Sequence, residues 1–466
     1  MNRRDFIKRF GAGAVVGAAV LSGCDHGKDA SADANNVIDG TGEMTLRTNP
    51  NTGDRVSLLG YGMMRLPVEA GGTEREHPDS PFDQEMINRQ VDYALEHGVN
   101  YFDTSPAYCK GQSERLTGIA LSRHPRNTYF VATKLSNFSP DTWSRKASMD
   151  IFENSLKQLQ TNYVDYLLLH GIGMGGGDKD GMGAFNARFM DNGILDWLVE
   201  QKQKGRIRNL GFSYHGDVKV FDMLLRWHDE GRYHWDFVQI ELNYLDWDYA
   251  NEINARNTDA SYLYAELHRR GIPAVIMEPL LGGRLASQPE SIMRRMRERE
   301  PQSSAARWAM RYAGTPEGVM CVLSGMTYLQ HLEENIATFS PLRPITDEEN
   351  QMLMSLAKDI LELKSVPCTA CNYCMPCPYG VDIPGNFAHY NRSISDDKMP
   401  PHDPMASDYR QLRDEYLIDY SRRIPKLRQA DHCIACGQCM VHCPQGIHIP
   451  DELKRIDDFV EYLKQN

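Results

Sequence analysis

Short apolar runs alternate with longer helical patterns through the middle of the chain. Eight runs, rich in Val, Ile, Leu, Phe and Tyr, have the length and composition of buried strands. The segments between them have helical periodicity: in 82–98, apolar Met86, Val91 and Ala94 precede a terminal Gly98. The predicted strands are 56–62, 99–104, 128–134, 164–170, 207–213, 236–243, 273–279 and 318–324.

This alternation of strands and helices predicts an α/β fold, a parallel (β/α)8 barrel of the TIM type. A doubly wound open sheet is the alternative, and its first strand is normally followed by a glycine-rich phosphate turn. The residues after the first run, LGYGMMRLP, lack that pattern. We therefore expect the barrel to occupy residues 44–345.

Composition and charge are those of a chain with a sizeable core, and they argue against a nucleic-acid-binding protein and a membrane-spanning helix. The chain has 466 residues, of which 41% are hydrophobic, so it can bury a sizeable core. Its net charge is −12 and it has no basic stripe, which argues against a nucleic-acid-binding protein. No apolar run reaches the roughly 18 residues that a membrane-spanning helix needs.

The first 24 residues have the pattern of an export signal. A charged start, MNRRDFIKR, is followed by the uncharged run FGAGAVVGAAVL and by SGC. Arg3 and Arg4, with Phe6 and Lys8, resemble a bacterial twin-arginine signal. LSGC resembles a lipobox, which would place a lipid on Cys24. The alternative, an amphipathic helix of the fold, fits a Gly- and Ala-rich uncharged run poorly.

We therefore expect export through the twin-arginine route, with the mature protein periplasmic or anchored at the membrane by its lipid. The small, polar residues 25–43 are predicted to form a flexible tether.

Four ionisable residues follow consecutive predicted strands. Asp103, Lys134 and His170 end the second, third and fourth runs, and Tyr108 lies in the loop after the second. The carboxyl ends of barrel strands share one face, and that face carries the active site in such folds. Each residue alone is better explained as a solvated charge, or as a residue at the barrel rim that is hydrogen-bonded to backbone. The set of four predicts a catalytic site.

These residues belong to a longer series of motifs that resembles the aldo-keto reductases. The motifs are FDTSPAYCKGQSE, the strand-final Lys134, LLLHG, GFSYHG, QIELNY, EPLLGGRL and SGMTYLQHLEENI, in order over about residues 45–340. The resemblance implies a barrel that transfers hydride reversibly between a nicotinamide dinucleotide and a small carbonyl or alcohol substrate.

The four residues then take distinct roles. Tyr108 matches the general acid of the family, and the positive charge of Lys134 is expected to stabilise its phenolate. Asp103 is expected to pair with Lys134 and keep it charged, and His170 to hydrogen-bond the substrate oxygen. Ser113 is predicted to cap the helix after the loop.

The resemblance also implies residues that hold the dinucleotide. They are Ser213, Gln239 and Asn243 at the nicotinamide end, Pro279, Leu280 and Gly282 along the pyrophosphate, and Gly325, Gln330, Glu334 and Asn335 at the adenosine end. Tyr214 stands where Asn is common in the family. Gly325 and His331 stand where many NADP-preferring members have Lys and Arg, so the choice between NADP and NAD stays open.

Eight of the eleven cysteines lie in two C-terminal runs. Cys433, Cys436, Cys439 and Cys443, followed by Pro444, have the spacing of a bacterial 4Fe–4S ferredoxin. The other run has a shorter last gap and consists of Cys368, Cys371, Cys374 and Cys377, followed by Pro378.

The spacing predicts two 4Fe–4S clusters. In two-cluster ferredoxins the fourth cysteine of each run binds the other cluster. Cys443 is therefore assigned to the cluster of Cys368, Cys371 and Cys374, and Cys377 to that of Cys433, Cys436 and Cys439. A four-cysteine zinc site is the alternative.

A helical pattern at 407–421, between the two runs, predicts a small, mostly α-helical ferredoxin-like domain over 346–466. The whole chain is thus predicted to be an exported iron–sulfur oxidoreductase with a membrane redox partner as a candidate. The alternative is an electron-transfer subunit of a membrane-associated complex, in which the barrel is only a docking scaffold.

Overall fold

The computed structural model describes residues 42–254, 256–443 and 445–466. The predicted signal, Cys24, nearly all of the predicted tether and Pro444 lie outside the described residues.

Ten strands run through the described part of the chain. They are β1 (Leu46–Thr48), β2 (Arg55–Ser57), β3 (Leu59–Gly62), β4 (Tyr101–Asp103), β5 (Phe130–Leu135), β6 (Val164–Ile172), β7 (Ile207–Tyr214), β8 (Phe237–Glu241), β9 (Ala274–Met277) and β10 (Val319–Ser324). Strands β3 to β10 form a closed parallel barrel in chain order, and β10 pairs with β3. Each barrel strand overlaps one of the eight predicted runs, so the barrel prediction is confirmed.

An antiparallel hairpin of β1 and β2 precedes the barrel. The turn between them carries Asn49, whose buried amide donates to the Tyr166 hydroxyl (3.0 Å) and to Asn209 Oδ1 (3.2 Å). Tyr166 and Asn209 lie near the starts of their strands, so the hairpin turn closes the amino-terminal end of the barrel.

The α-helices of the described residues mostly surround this sheet or form the C-terminal region. They are Gln84–Glu96, Ser113–Leu121, Arg145–Gln158, Gly181–Phe185, Ile194–Gln203, Val218–Asp229, Asp246–Ile253, Ala260–His268, Glu290–Arg299, Ala305–Gly314, Leu329–Phe339, Asp347–Glu362, Ile383–Ser395, Tyr409–Arg423 and Ile449–Gln465.

Helix Asp347–Glu362 packs with the barrel. It starts with a capping box of Thr346 and Glu349, and its buried residues Leu353, Leu356 and Ile360 belong to the core cluster that contains the barrel strands. The boundary expected at 345–346 therefore precedes a helix that packs on the barrel side.

The cysteine-rich region that follows has cores of its own. One forms around Val366, Phe387 and Ile456, and another around Tyr409, Tyr416, Tyr420 and Leu463. Three helices build this region, so the prediction of a mostly α-helical second part is confirmed.

Across the described residues, none of the helices has the length and apolarity to cross a bilayer.

Candidate active site

Lys134 and Asp103 form a buried ion pair at the carboxyl end of the barrel. Lys134 Nζ donates to Asp103 Oδ1 at 2.5 Å and to the Thr104 carbonyl at 2.9 Å, and both charged side chains are almost fully buried. Burial raises the pKa of Asp103 and lowers that of Lys134, and their mutual attraction opposes both shifts. The expected pairing of these two residues is present.

Tyr108 lies directly against this pair. Lys134 Nζ is 4.8 Å from the centre of the Tyr108 ring. Burial first, and then the Asp103 carboxylate, raise the pKa of Tyr108 well above its usual range. The Lys134 ammonium donates to Asp103 and Thr104 and faces the Tyr108 ring. Tyr108 is therefore a protonated phenol, a proton donor rather than a resting base.

His170 stands beside Tyr108 as a neutral imidazole. Their ring centres are 5.9 Å apart, and the rings are nearly perpendicular. Burial, with Lys134 nearby, holds the pKa of His170 well below its usual range. Its Nδ1 lies 2.6 Å from Ser136 Oγ, which in turn lies 2.9 Å from Ser105 Oγ. A donating Ser136 leaves Nε2 protonated, the form that can donate to a substrate oxygen.

Ser113, after the Tyr108 loop, differs from its prediction. Helix Ser113–Leu121 begins at Ser113 itself and its N-cap position is Gln112, so the prediction of a Ser113 cap is wrong. The Ser113 hydroxyl instead donates to the Met63 carbonyl at 2.6 Å, which ties the helix start to the loop after β3. Glu114 is buried and accepts a hydrogen bond from Thr133 Oγ1 at 2.5 Å.

The predicted nicotinamide-end residues lie at the same mouth but are largely hydrogen-bonded within the protein. Ser213 Oγ accepts from the Gly171 N–H at 2.8 Å. Asn243 donates to Asp246 Oδ2 (2.6 Å) and accepts from two backbone N–H groups. Gln239 faces the Asp103 carboxyl group.

The predicted adenosine-end residues follow β10. Glu334 accepts a hydrogen bond from Ser304 Oγ, and Asn335 donates to Ser324 Oγ at 3.0 Å. Gln330 is exposed, and Gly325 packs against the side chain of Arg65. Only part of this set is therefore open to a ligand.

The cysteine-rich region lies across the barrel mouth, which the sequence did not predict. Arg65 donates to the Thr369 carbonyl at 2.7 Å, and Arg284 donates to Ser365 Oγ at 2.6 Å. At the end of β8, Gln445 Nε2 donates to Glu241 Oε1 at 2.9 Å. The loops after β3 and β9 and the end of β8 thus hold this region in place.

Tyr373 brings a second phenol to the catalytic residues. Its ring centre lies 5.9 Å from that of Phe138, which lies 4.7 Å from that of His170. Tyr373 contributes to the raised pKa of Tyr108, and Asp103 contributes to that of Tyr373. Sequence reasoning missed Tyr373 because its only signal is a position between two cysteines, far along the chain from the barrel motifs.

The nicotinamide dinucleotide that the resemblance implies does not fit into this barrel mouth at the positions where the resemblance places it. A Cβ atom at Gly282 would lie 2.2 Å from the Thr369 Cα, so Thr369 lies directly on the predicted pyrophosphate segment. The Gly282 N–H already donates to Glu278 Oε2 at 2.5 Å. The catalytic residues are assembled, whereas the predicted cofactor cleft is covered.

The thiols of the cysteine-rich region interact in two sets. Electrostatic interactions join Cys368, Cys371, Cys374 and Cys443 in one set, and Cys439 with Cys377, Cys433 and Cys436 in the other, while Cys374 also interacts with Cys439. We call these the inner and outer thiol sets. A cavity of ≈ 260 Å³ lies among Cys377, Cys433, Cys436, Cys439 and Cys374.

Both runs wrap their thiols with the same backbone conformation. The residue before the second cysteine has positive φ in each run, Ala370 at 51° and Ala435 at 57°. The residue after that cysteine does so too, Asn372 at 66° and Gly437 at 74°. Backbone N–H groups point at the sulfurs, as from Ala370 to Cys368 Sγ at 3.3 Å.

The two runs have the donor type of an iron–sulfur site. Each offers closely spaced thiols, and soft sulfur ligands suit iron–sulfur clusters. N–H···S contacts of this kind are also among the features that tune such clusters.

Sequence comparison places the chain in a family. The profile of the Aldo/keto reductase family matches residues 58–358, and that of a 4Fe-4S dicluster domain matches residues 367–448. The protein belongs to the aldo/keto reductase family. It is an oxidoreductase of that family with a C-terminal 4Fe–4S ferredoxin-like domain.

Individual relatives agree with this assignment. L-galactose dehydrogenase of Arabidopsis thaliana is 26% identical over 337 residues, covering 69% of this chain and 95% of the relative. D-arabinose 1-dehydrogenase of Saccharomyces cerevisiae is 33% identical over 158 residues, 32% of this chain and 42% of the relative. The solved aldo-keto reductase AKR11C1 from Bacillus halodurans shares the fold, with 24% identity, a TM-score of 0.50 and coverage of 67% and 96%.

Proposed function

We propose that this aldo/keto reductase is an exported iron–sulfur oxidoreductase that interconverts a carbonyl and an alcohol on a small substrate, with Tyr108 as general acid and base. One observation carries the proposal: Tyr108 lies against the buried Lys134–Asp103 pair and beside His170 at the barrel mouth. A docking scaffold has no use for such a set.

Reduction of the carbonyl adds a hydride to its carbon and a proton to its oxygen. The hydride must come from a two-electron carrier, which accepts it back in the reverse direction, and the phenol of Tyr108 supplies the proton. The charge of Lys134, 4.8 Å from the ring centre, offsets the negative charge left on the phenolate. His170, with Nε2 protonated through the Ser136 contact, donates a hydrogen bond that positions the same oxygen. In the reverse direction the phenolate removes the proton of the alcohol.

The relatives support a sugar-type substrate. Two of them are named for the oxidation of L-galactose and of D-arabinose, both polyhydroxylated aldehydes in cyclic form. The first of these aligns over 95% of its own length. We infer that a small polyol or aldose is the substrate class of this chain.

We propose that the inner and outer thiol sets each bind one 4Fe–4S cluster. Cys443 and Cys377 would each bind the cluster held by the other cysteine run. The interaction of each crossing cysteine with the other run supports this ligation. When bound, such clusters exchange single electrons. The nicotinamide dinucleotide, NADP or NAD, has no step in this proposal because Thr369 covers Gly282.

Export rests on the sequence of the first 24 residues. We propose the twin-arginine route, which carries folded proteins, because a cluster must be assembled before its owner crosses the membrane. A lipid on Cys24 would then keep the protein near a membrane redox partner.

Tyr108→Phe tests the acid–base role. The variant keeps the ring beside Lys134 and removes only the proton donor. We expect turnover of L-galactose or D-arabinose, measured anaerobically with ferricyanide as electron acceptor, to fall by about 100- to 10,000-fold. Iron content and the visible cluster spectrum should not change.

Tyr163→Phe, in which the phenol lies on the far side of the barrel near the start of β6, is the matched control and should retain full turnover. Equal turnover of Tyr108→Phe and wild type on a substrate that the wild type oxidises would contradict the role of Tyr108. It would favour the scaffold alternative.

A further inference from the structure

The loop that carries the first cysteines lies where a dinucleotide would need to lie. Gly282 has φ 66° and no side chain, which normally lets a phosphate approach the backbone closely. Here the group that approaches is Thr369. A Cβ atom built on Gly282 would lie only 2.2 Å from the Thr369 Cα. No ligand atom can enter between these two backbones.

The hydrogen-bond donor of Gly282 is already in use. The Glu278 carboxylate accepts from the Gly282 N–H that would otherwise face a phosphate oxygen. A pyrophosphate in this cleft would have to displace that carboxylate as well as Thr369.

The segment is fixed in this position by several independent contacts. Ser365 and Thr369 are held by Arg284 and Arg65, and Tyr373 packs its ring against Phe138. Gln445 adds a buried contact from the second cysteine run. These contacts come from barrel loops on different sides of the mouth.

We propose that residues 365–373 take the place of the dinucleotide in the cleft of this chain. The inner thiol set then borders Tyr108 and His170. Tyr373 joins the two: its backbone N–H points at the Cys371 thiol, and its side chain reaches the catalytic residues. This arrangement suits an exported protein, for which no soluble dinucleotide pool is expected.

Dinucleotide binding tests this directly and without a substrate. The full-length, cluster-loaded protein is titrated anaerobically with NADPH and with NADH by calorimetry. We expect no saturable binding up to about 1 mM. A variant with Ser365→Ala, Tyr373→Ala and Gln445→Ala loosens the segment and leaves every predicted dinucleotide contact intact. It should bind one of the two at least about ten-fold more tightly.

Tyr379→Ala is the matched control, because Tyr379 lies in the same region with 46% of its surface exposed. It should behave as the wild type does. Faster hydrogen exchange in 278–285 shows that the triple variant has released the segment, and unchanged iron content shows that its clusters remain.

The binding data support or overturn the proposal. Wild-type binding as tight as that of the released variant overturns it, and so does a released variant that still binds neither dinucleotide.

If the triple variant does not fold, hydrogen exchange of the wild type is measured with about 1 mM NADPH instead. Protection of 278–285 with no loosening of 365–373 would overturn the proposal, whereas unchanged exchange supports it. None of these measurements depends on Tyr108. A negative result here would therefore leave the proposed acid–base role of Tyr108 unaffected.

Discussion

At the scale of single residues, burial determines the protonation states of the site. It keeps Tyr108 a phenol and His170 a neutral imidazole, and Lys134 and Asp103 remain together because each offsets the other in the low-dielectric interior. Glu114 has no such cation in contact. Burial raises its pKa to about 7, against the opposing effects of Thr133, Ser155 and the more distant Lys134.

Glu114 makes the stability of the fold depend on pH. Its pKa is higher in the folded chain than in the unfolded one, so the folded state holds the extra proton between about pH 4.5 and 7. The stabilisation is complete below that window and is lost as the pH rises through it, a loss on the order of 3 kcal/mol.

Glu114→Gln should remove this dependence. Thermal unfolding midpoints of wild type and variant are compared anaerobically at pH 5 and pH 8. We expect similar midpoints at pH 5 and a higher midpoint for the variant at pH 8. A lower midpoint for the variant at pH 8 would mean that the fold needs the ionised carboxylate.

At the scale of elements, the packing of neighbouring helices depends on a small residue. Gly118 lies in helix Ser113–Leu121, where it faces the end of helix Arg145–Gln158. A Cβ atom at this position would lie 2.3 Å from the Gln158 carbonyl oxygen and 2.9 Å from the Leu159 backbone. The two helices can approach this closely only because position 118 has no side chain.

Gly118→Ala should therefore destabilise the protein despite the better helix propensity of alanine. Overpacking costs about 1–3 kcal/mol, against a propensity gain of about 1 kcal/mol. The measurement is the thermal midpoint, with Asn154→Ala on the exposed side of the adjacent helix as control. A midpoint above that of the wild type would show that the backbones separate freely.

The pattern of apolar and polar residues predicts some of these elements and misses others. All eight barrel strands overlap the predicted runs because each is a short segment rich in buried apolar residues. The β1–β2 hairpin was missed because strands of three residues carry too little periodicity to detect. Ser113 was misassigned as a cap because its hydroxyl bonds to Met63, a contact across the fold.

At the scale of the whole molecule, the two recognisable parts were predictable and their contact was not. Asp103, Lys134 and His170 lie near the carboxyl ends of strands, and the cysteines have a fixed spacing, so local sequence contains the signal for both parts. The contact of Tyr373 with the site of Tyr108 joins residues far apart in the chain, through loops without a repeating pattern. Only the folded structure shows that the second part closes the mouth of the first.

The central claim is that an iron–sulfur cluster in the inner thiol set borders the barrel site. Anomalous diffraction at the iron edge, from anaerobically grown crystals of the full-length protein, tests it most directly. We predict two groups of iron peaks: one among Cys368, Cys371, Cys374 and Cys443 beside Tyr373 at the barrel mouth, and one among Cys377, Cys433, Cys436 and Cys439. Peaks only in the outer set, or an inner set turned away from Tyr108, would contradict the account.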